Sequence, residues 1–189
     1  MRIISGRFRG LALASVGKGD AGAHLRPTTD RVRESLFSML AGGRFGDPIE
    51  GAHVLDLFAG TGALGLEALS RGAAHVTLVD DGRKALSLIR ENVEKCRCGD
   101  EITVISRDAT RLPPLGSNGT PHNLIFLDPP YGKAMGEKAL AAAMAGGWLA
   151  PDALIVWEEN AEVTLPDGIE LLDTRRYGDT VMSICEVAE

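Results

Sequence analysis

His53-Val54-Leu55-Asp56-Leu57-Phe58-Ala59-Gly60-Thr61-Gly62-Ala63-Leu64-Gly65-Leu66-Glu67-Ala68-Leu69 runs from an apolar strand through a glycine-rich turn into a helix of small and apolar residues. Gly60, Gly62 and Gly65 satisfy G-x-G-x-x-G, a spacing that permits a tight turn, close approach of backbone to a ligand and close packing of helix on strand. Many nucleotide cradles share that spacing. Asp56 narrows it, because an acid just ahead of the first glycine repels a pyrophosphate seated at the helix N-terminus. A cationic ligand meets it favourably. S-adenosylmethionine carries an ammonium and a sulfonium and no phosphate, so Asp56, Phe58, Gly60, Thr61 and Gly62 are candidate contacts for that cofactor.

Outward from this turn, apolar runs alternate with helical stretches. Val54–Leu57 precedes a helix over 62–71, Val76–Val79 one over 83–95, and Leu124–Leu127 one over 134–145; Ile102–Ile105 leads into a short irregular stretch, and Leu154–Trp157 follows. Such alternation implies a parallel sheet. Two last strands, Ile169–Arg175 and Thr180–Val187, flank Tyr177-Gly178-Asp179 and predict an antiparallel hairpin at the sheet edge. Ahead of the glycine turn, Thr28-Thr29-Asp30 offers an N-cap for a helix with Val32, Leu36, Phe37 and Leu40 on one face, ended by Ala41-Gly42-Gly43. Val16 to Ala23 reads as a mobile loop.

Strand ends in a parallel sheet share one rim, where ligands of open α/β sheets bind. Asp56, then Asp80 and Asp81, then Asp108 beside Ala109, fall at successive strand ends. Asp80 stands where a carboxylate accepts two ribose hydroxyls, and Asp108 where one takes an adenine amine. Each alone would pass as an ordinary turn residue. The fourth strand stops at Asp128-Pro129-Pro130-Tyr131, where two prolines leave the ladder without donors and stiffen the exit. Asp128 and the Pro129 carbonyl become paired acceptors for a planar NH2 group, and Tyr131 offers a face for stacking. Asp128, Pro129, Pro130 and Tyr131 are the candidate catalytic residues.

The chain of 189 residues, 44% hydrophobic, suits one compact domain, with residues 1–27 as a basic N-terminal hairpin and loop and 28–189 as the catalytic core. No secretory signal and no run near the roughly 18 apolar residues of a membrane span is present, so a soluble cytoplasmic protein is expected. Cys96, Cys98 and Cys185 lack a second pair or nearby histidine to make a zinc set and read as free thiols; no metal is expected. Charge is uneven: residues 1–33 carry seven basic groups against Asp20 and Asp30, a net of +5, leaving −11 on the rest of a chain whose total is −6. Arg2 to Leu13 alternates as a hairpin turning near Ser5-Gly6 or Arg9-Gly10, with arginines outward and Phe8 free to stack. Such a hairpin is either a polyanion handle or a solvated edge whose arginines discourage aggregation.

Several stretches together resemble the RsmD-type bacterial 16S ribosomal RNA guanine-N(2) methyltransferases over nearly the whole chain. They are Arg2-Ile3-Ile4-Ser5-Gly6 with Phe8-Arg9-Gly10, Leu25-Arg26-Pro27-Thr28-Thr29-Asp30-Arg31-Val32-Arg33-Glu34-Ser35-Leu36-Phe37, the glycine turn from Asp56 to Arg71, and Asp128-Pro129-Pro130-Tyr131. The second is the most specific, since the other turns are shared among many amine methyltransferases. The resemblance implies a Rossmann-like class I fold with a mostly parallel seven-stranded sheet, an antiparallel C-terminal hairpin and a small N-terminal β-hairpin and helix extension. It also implies S-adenosylmethionine as cofactor, Arg26 and Thr28 near it, and 16S ribosomal RNA, as such or in a partly assembled small subunit, as partner of a monomer. Arg2, Arg7, Arg9, Arg31 and Arg33 are the expected RNA-facing residues. Where relatives often place Glu followed two residues later by Asp, this chain has Asp80-Asp81-Gly82, which assigns the ribose contact to Asp80 and leaves Asp81 without a defined role.

An exocyclic amine is a poor nucleophile while its lone pair is delocalised into the base. Two acceptors can hold the nitrogen nearer tetrahedral geometry, with Tyr131 stacked on the base, for in-line attack on the sulfonium methyl. The base must be splayed from its helix to reach such a pocket. Similar turns also serve adenine in nucleic acid and glutamine in proteins. A non-catalytic RNA-binding protein on this fold would not need the four strand-end acids, and a nicotinamide dehydrogenase is opposed by Asp56.

Overall fold

The computed structural model describes residues 1–16 and 28–188. Strands β1 (His53–Leu57), β2 (His75–Asp80), β3 (Ile102–Ser106), β4 (His122–Leu127), β5 (Leu149–Glu159), β6 (Ile169–Tyr177) and β7 (Thr180–Val187) form one sheet in the order β3-β2-β1-β4-β5-β7-β6. β3, β2, β1, β4 and β5 pair in parallel, and β7 is antiparallel to both β5 and β6. This is the mostly parallel sheet that the alternation implies, in the Rossmann-like arrangement that the resemblance implies. The hairpin forms, but its second strand is the internal one. Val181 to Cys185 are all buried, whereas β6 carries Glu170, Asp173, Arg175 and Arg176 and leaves Leu171 53% exposed. A charged strand tolerates the edge and an apolar one does not.

Helices α1 (Asp30–Leu40), α2 (Ala63–Ser70), α3 (Arg83–Cys96) and α4 (Met135–Ala145) cover the sheet. Successive strand residues feed two separate cores. Val54, Leu124 and Phe126 pack in one with Leu36, Phe37, Leu66 and Ile89; Leu55, Leu57, Ile125 and Leu127 pack in the other with Ala139, Leu140 and Trp157. Strands buried on both faces explain the unbroken apolar runs. Thr29 caps α1 as expected, its hydroxyl accepting from the Val32 N–H at 3.3 Å. β5 begins five residues before the expected Leu154, because His122 pairs with Leu149 before the register shifts to Leu124 with Leu154. No helix of the described residues is long and apolar enough to cross a membrane. Cys96, Cys98 and Cys185 are free and buried.

The N-terminal hairpin forms around the antiparallel bridge between Arg2 and Ala12, with the Ile3, Gly10 and Leu13 N–H groups donating to the Leu11, Ile3 and Met1 carbonyls at 3.0, 2.8 and 3.1 Å. Its turn is also tied to α2. Glu67, fully buried, accepts from the Ile4 and Ser5 N–H groups at 2.8 and 3.1 Å; Ser70 Oγ donates to the Ser5 carbonyl at 2.6 Å and accepts from the Phe8 N–H at 3.0 Å. The Arg7 N–H donates to the Ser70 carbonyl at 2.8 Å. Gly6 makes this approach possible: its φ is +82°, and a Cβ there would lie 1.7 Å from the Ser70 carbonyl oxygen. Ile3 and Leu13 are buried in the same core as α1 and α2, so the segment is a packed part of the fold. The expected loop lies outside the described residues from Gly17 onward, as does Arg26.

Candidate active site

β1 ends in a turn that the glycines shape as expected. Gly60 and Gly62 have φ of 61° and 78°, and Phe58 shares the left-handed region at 62°. Gly62 stands at the N-cap of α2, whose first residues Ala63 and Leu64 line the crevice while the Gly65 N–H is taken by Asp56. A Cβ on Gly65 would come within 2.6 Å of Leu78 and 2.7 Å of Val76, so this glycine lets α2 lie close on β2. Asn92 of α3 braces the turn, its Nδ2 donating to the Thr61 carbonyl at 2.9 Å and to the Ala14 carbonyl at 3.1 Å.

The turn borders a crevice of 920 Å³ that Thr28, Asp56, Asp80, Asp81, Asp108 and the Asp128 to Tyr131 stretch also line, together with Phe58, Gly60, Thr61 and Ala109. The rim of acids is therefore real, although its members are bound in unequal ways. Asp56 is 1% exposed and its Oδ2 accepts from the Gly65 N–H at 3.0 Å, so it sits beneath the turn rather than at an open strand end. Asp80 Oδ2 accepts from the Gly60 N–H at 2.9 Å and Oδ1 from the Gly82 N–H at 2.8 Å; a lone pair on each oxygen remains for a hydroxyl donor. Asp81 is exposed. Asp108 caps the short 3-10 turn Ala109–Arg111 with Oδ1, which accepts from the Thr110 N–H at 2.8 Å and hydroxyl at 2.7 Å, and its Oδ2 lies 3.9 Å from Arg111 Nε without a hydrogen bond of its own.

Burial raises the Asp56 carboxyl from 3.8 to about 7 against the lowering pull of the Gly65 N–H, with Asp80 adding to the rise. Burial raises Asp80 as well. The folded chain thus holds a proton on Asp56 between about pH 4 and 7 that the unfolded chain has lost, and stability falls as pH rises through that window. Asp56→Asn, which keeps a carbonyl for Gly65, removes that slope. Thermal melts of both ligand-free proteins from pH 5 to 8 should show the variant gaining on the wild type as pH rises; parallel curves would rule out a titrating Asp56.

At the end of β4 the Asp128 carboxylate, half-buried, makes no hydrogen bond among the described residues. Burial pushes its carboxyl well up, with Glu158, Asp56 and Glu159 adding like charge. Pro129 is buried behind it. The Tyr131 hydroxyl donates to Glu158 Oε1 at 2.7 Å, and the Thr28 hydroxyl donates to Glu158 Oε2 at 3.1 Å. Glu158 escapes the sequence because the strand was expected to end at Trp157. A pair of acids directly after that apolar run, at the same rim as the others, was the available signal.

The five arginines expected to face RNA divide. Arg2, Arg9 and Arg31 are exposed and line a second groove of 420 Å³ with Asp30 and Glu34. Arg7 is turned elsewhere, paired with Glu101 at 2.6 Å and lying 4.4 Å over the Phe8 ring, which removes that face of Phe8 from stacking. Arg33 is a correction: its side chain is fully buried, with Nη2 on the Arg2 carbonyl and on Asp30 at 3.1 Å and Nε 3.9 Å from Glu67. A guanidinium enclosed this way braces α1 against α2 and the N-terminal segment and does not reach a phosphate.

No group of three or more His, Cys, Asp or Glu among the described residues is arranged to hold a metal ion. Residues 1–186 match the family described as Conserved hypothetical protein 95. The chain is 42% identical over 166 residues, 88% of its length and 78% of the relative's, to Ribosomal RNA small subunit methyltransferase D of Escherichia coli strain K12. It is 33% identical over 181 residues, 94% of its length and 89% of the relative's, to the protein of the same name in Haemophilus influenzae. A solved Escherichia coli chain, yhhF, to which methyltransferase activity is ascribed, aligns with a TM-score of 0.82 at 38% identity, covering 100% of this chain and 98% of that one.

Proposed function

The chain belongs to the RsmD-type methyltransferase family, and from that membership we propose that it methylates the exocyclic 2-amino group of a guanine in 16S ribosomal RNA, with S-adenosylmethionine as donor. The observation that carries this function is the free, half-buried Asp128 carboxylate beside Pro129 and Tyr131, in the same crevice as the glycine turn. An acid-lined crevice bordered by Gly60, Thr61 and Ala63 fits a cationic cofactor that lacks phosphate. Asp80 would hold its ribose, Asp108 its adenine amine and the Gly60 to Gly62 turn its amino-acid end. Bound there, S-adenosylmethionine supplies an electrophilic methyl group. Asp128 and the Pro129 carbonyl accept the amine's hydrogens and hold its nitrogen toward that methyl, Tyr131 stacks on the base, and Asp128 takes the proton that the methylated nitrogen releases. A cytoplasmic monomer acting on RNA or a partly assembled small subunit fits this role.

The test is to incubate the protein with tritiated S-adenosylmethionine and 16S RNA from a strain lacking it, and to map the label. N2-methylguanine at one position is the expected product. Label on adenine, or on glutamine of an added protein, would replace the acceptor, and no label on any of them would end the enzymatic reading.

RNA contact is assigned to Arg2, Arg9 and Arg31, which share one groove. Charge reversal of Arg9 and Arg31 together should flatten the slope of log affinity against log salt by about one and a half, since each phosphate contact contributes roughly 0.7 to 0.9. Arg7→Glu, facing Glu101 instead, should change the slope by less than about half a unit. Filter binding at several salt concentrations measures both, and an unaltered slope in the double variant would move the RNA surface elsewhere.

A further inference from the structure

Glu158 is 7% exposed at the penultimate position of β5, and both its oxygens are engaged by hydroxyls rather than by a cation. Among the described residues it forms no salt bridge. Burying a carboxylate is costly, and an amide or an apolar side chain would fill the space more cheaply. A charged acceptor does offer stronger and more directional hydrogen bonds. The hydroxyls it gathers come from separate parts of the fold: Tyr131 from the loop after β4, Thr28 from the segment before α1, with Thr180 Oγ1 of β7 3.3 Å from the Tyr131 oxygen. The strand end that carries Glu158 cannot swing. Trp157 beside it is 1% exposed and pressed by α4, where a Cβ on Gly136 would lie 2.5 Å from the indole ring.

We propose that Glu158 is a positioning residue that fixes the stacking face of Tyr131 beside Asp128 and ties that face to Thr28. This rests on the acceptor function proposed above for the Asp128 to Tyr131 turn. A phenol anchored at its oxygen turns the ring into a fixed wall, so that a base laid on it presents its amine at one depth and angle to Asp128. Without the anchor the ring rotates about its side-chain bonds and the amine is presented in many poses, at a cost in rate. Because Thr28 holds the other oxygen, the segment leading into α1 and the stacking ring share a single anchor.

Glu158→Ala, Tyr131→Phe, their combination, and Glu158→Gln separate this role from a purely structural one. Glutamine keeps an acceptor for Tyr131, and Thr28 can reverse its bond. With 16S RNA as acceptor, Glu158→Ala and Tyr131→Phe should each lower kcat/KM about 10- to 100-fold, the size of a lost hydrogen bond to a charged group, and the combination should lower it no further. Glu158→Gln should recover most of the loss, while S-adenosylmethionine affinity and the melting temperature stay at wild-type values in all four. The Cζ resonance of Tyr131 in protein labelled with carbon-13 tyrosine, assigned by its disappearance in Tyr131→Phe, should move in Glu158→Ala and hold in Glu158→Gln. Losses that multiply in the double variant, a loss that tracks melting temperature, or an unmoved Tyr131 resonance would each overturn the proposal. A wild-type protein that labels no guanine while the resonance still moves would instead overturn the acceptor function and leave the Glu158 anchor standing.

Discussion

Asp128→Ala should lower methyl transfer to RNA by about 10²- to 10³-fold, the usual cost of removing one preorganised partner from a reacting group, while calorimetry shows S-adenosylmethionine binding close to wild type. The two measurements part because Asp128 follows β4, whereas the glycine turn follows β1 and is braced by Asp56, Asp80 and Asn92, none of which hydrogen-bonds to Asp128. Asp128→Asn keeps one acceptor and should fall between the two. The raised carboxyl of the wild type adds a signature: burial, then Glu158, Asp56 and Glu159, favour the protonated form, so acidification should erase activity at a higher pH than an ordinary aspartate would set. Near-normal turnover in Asp128→Ala would remove the amine-gripping role.

Gly6→Ala should be the most damaging single substitution outside the crevice. The added methyl would stand 1.7 Å from the Ser70 carbonyl oxygen on a backbone with φ of +82°, so the segment must leave α2. Its departure strips Glu67 of the Ile4 and Ser5 N–H groups, and a fully buried carboxylate then loses two donors. A stability loss on the order of 3 kcal/mol or more follows, read from urea unfolding, together with weakened RNA binding as Arg2 and Arg9 lose their placement beside Arg31. Wild-type unfolding in Gly6→Ala would show that the segment does not rest on α2 as described.

What was legible from the amino acids was whatever is written locally. Glycines at 60, 62 and 65, prolines at 129 and 130 and the apolar runs between them fix turns and strand ends through their own backbone restrictions, so the acid-lined rim follows from the order of the residues. What escaped depends on partners distant in the chain. Arg33 looks like any exposed helix arginine until Glu67 and the Arg2 carbonyl are known to enclose it. Glu67 itself, in the middle of a small apolar helix, has one partner within reach of the sequence, Arg71 a turn further on, but the Ile4 and Ser5 N–H groups that it accepts from lie more than 60 residues away. The order of β6 and β7 was likewise unwritten, since either strand of a hairpin can face the sheet, and only burial of Val181 to Cys185 against β5 decides it.

That order bears on how the protein is made. β7 leaves the ribosome after β5 and β6, yet it lies between them. Until residues 180–187 emerge, β5 exposes an open apolar edge and β6 has nothing to pair with, so the nascent sheet waits with its stickiest border bare. Translation that stalls or terminates before residues 180–187 are made would release a chain whose crevice residues are all present but whose sheet cannot close. Such a product is a substrate for chaperones and proteases rather than a weakened enzyme.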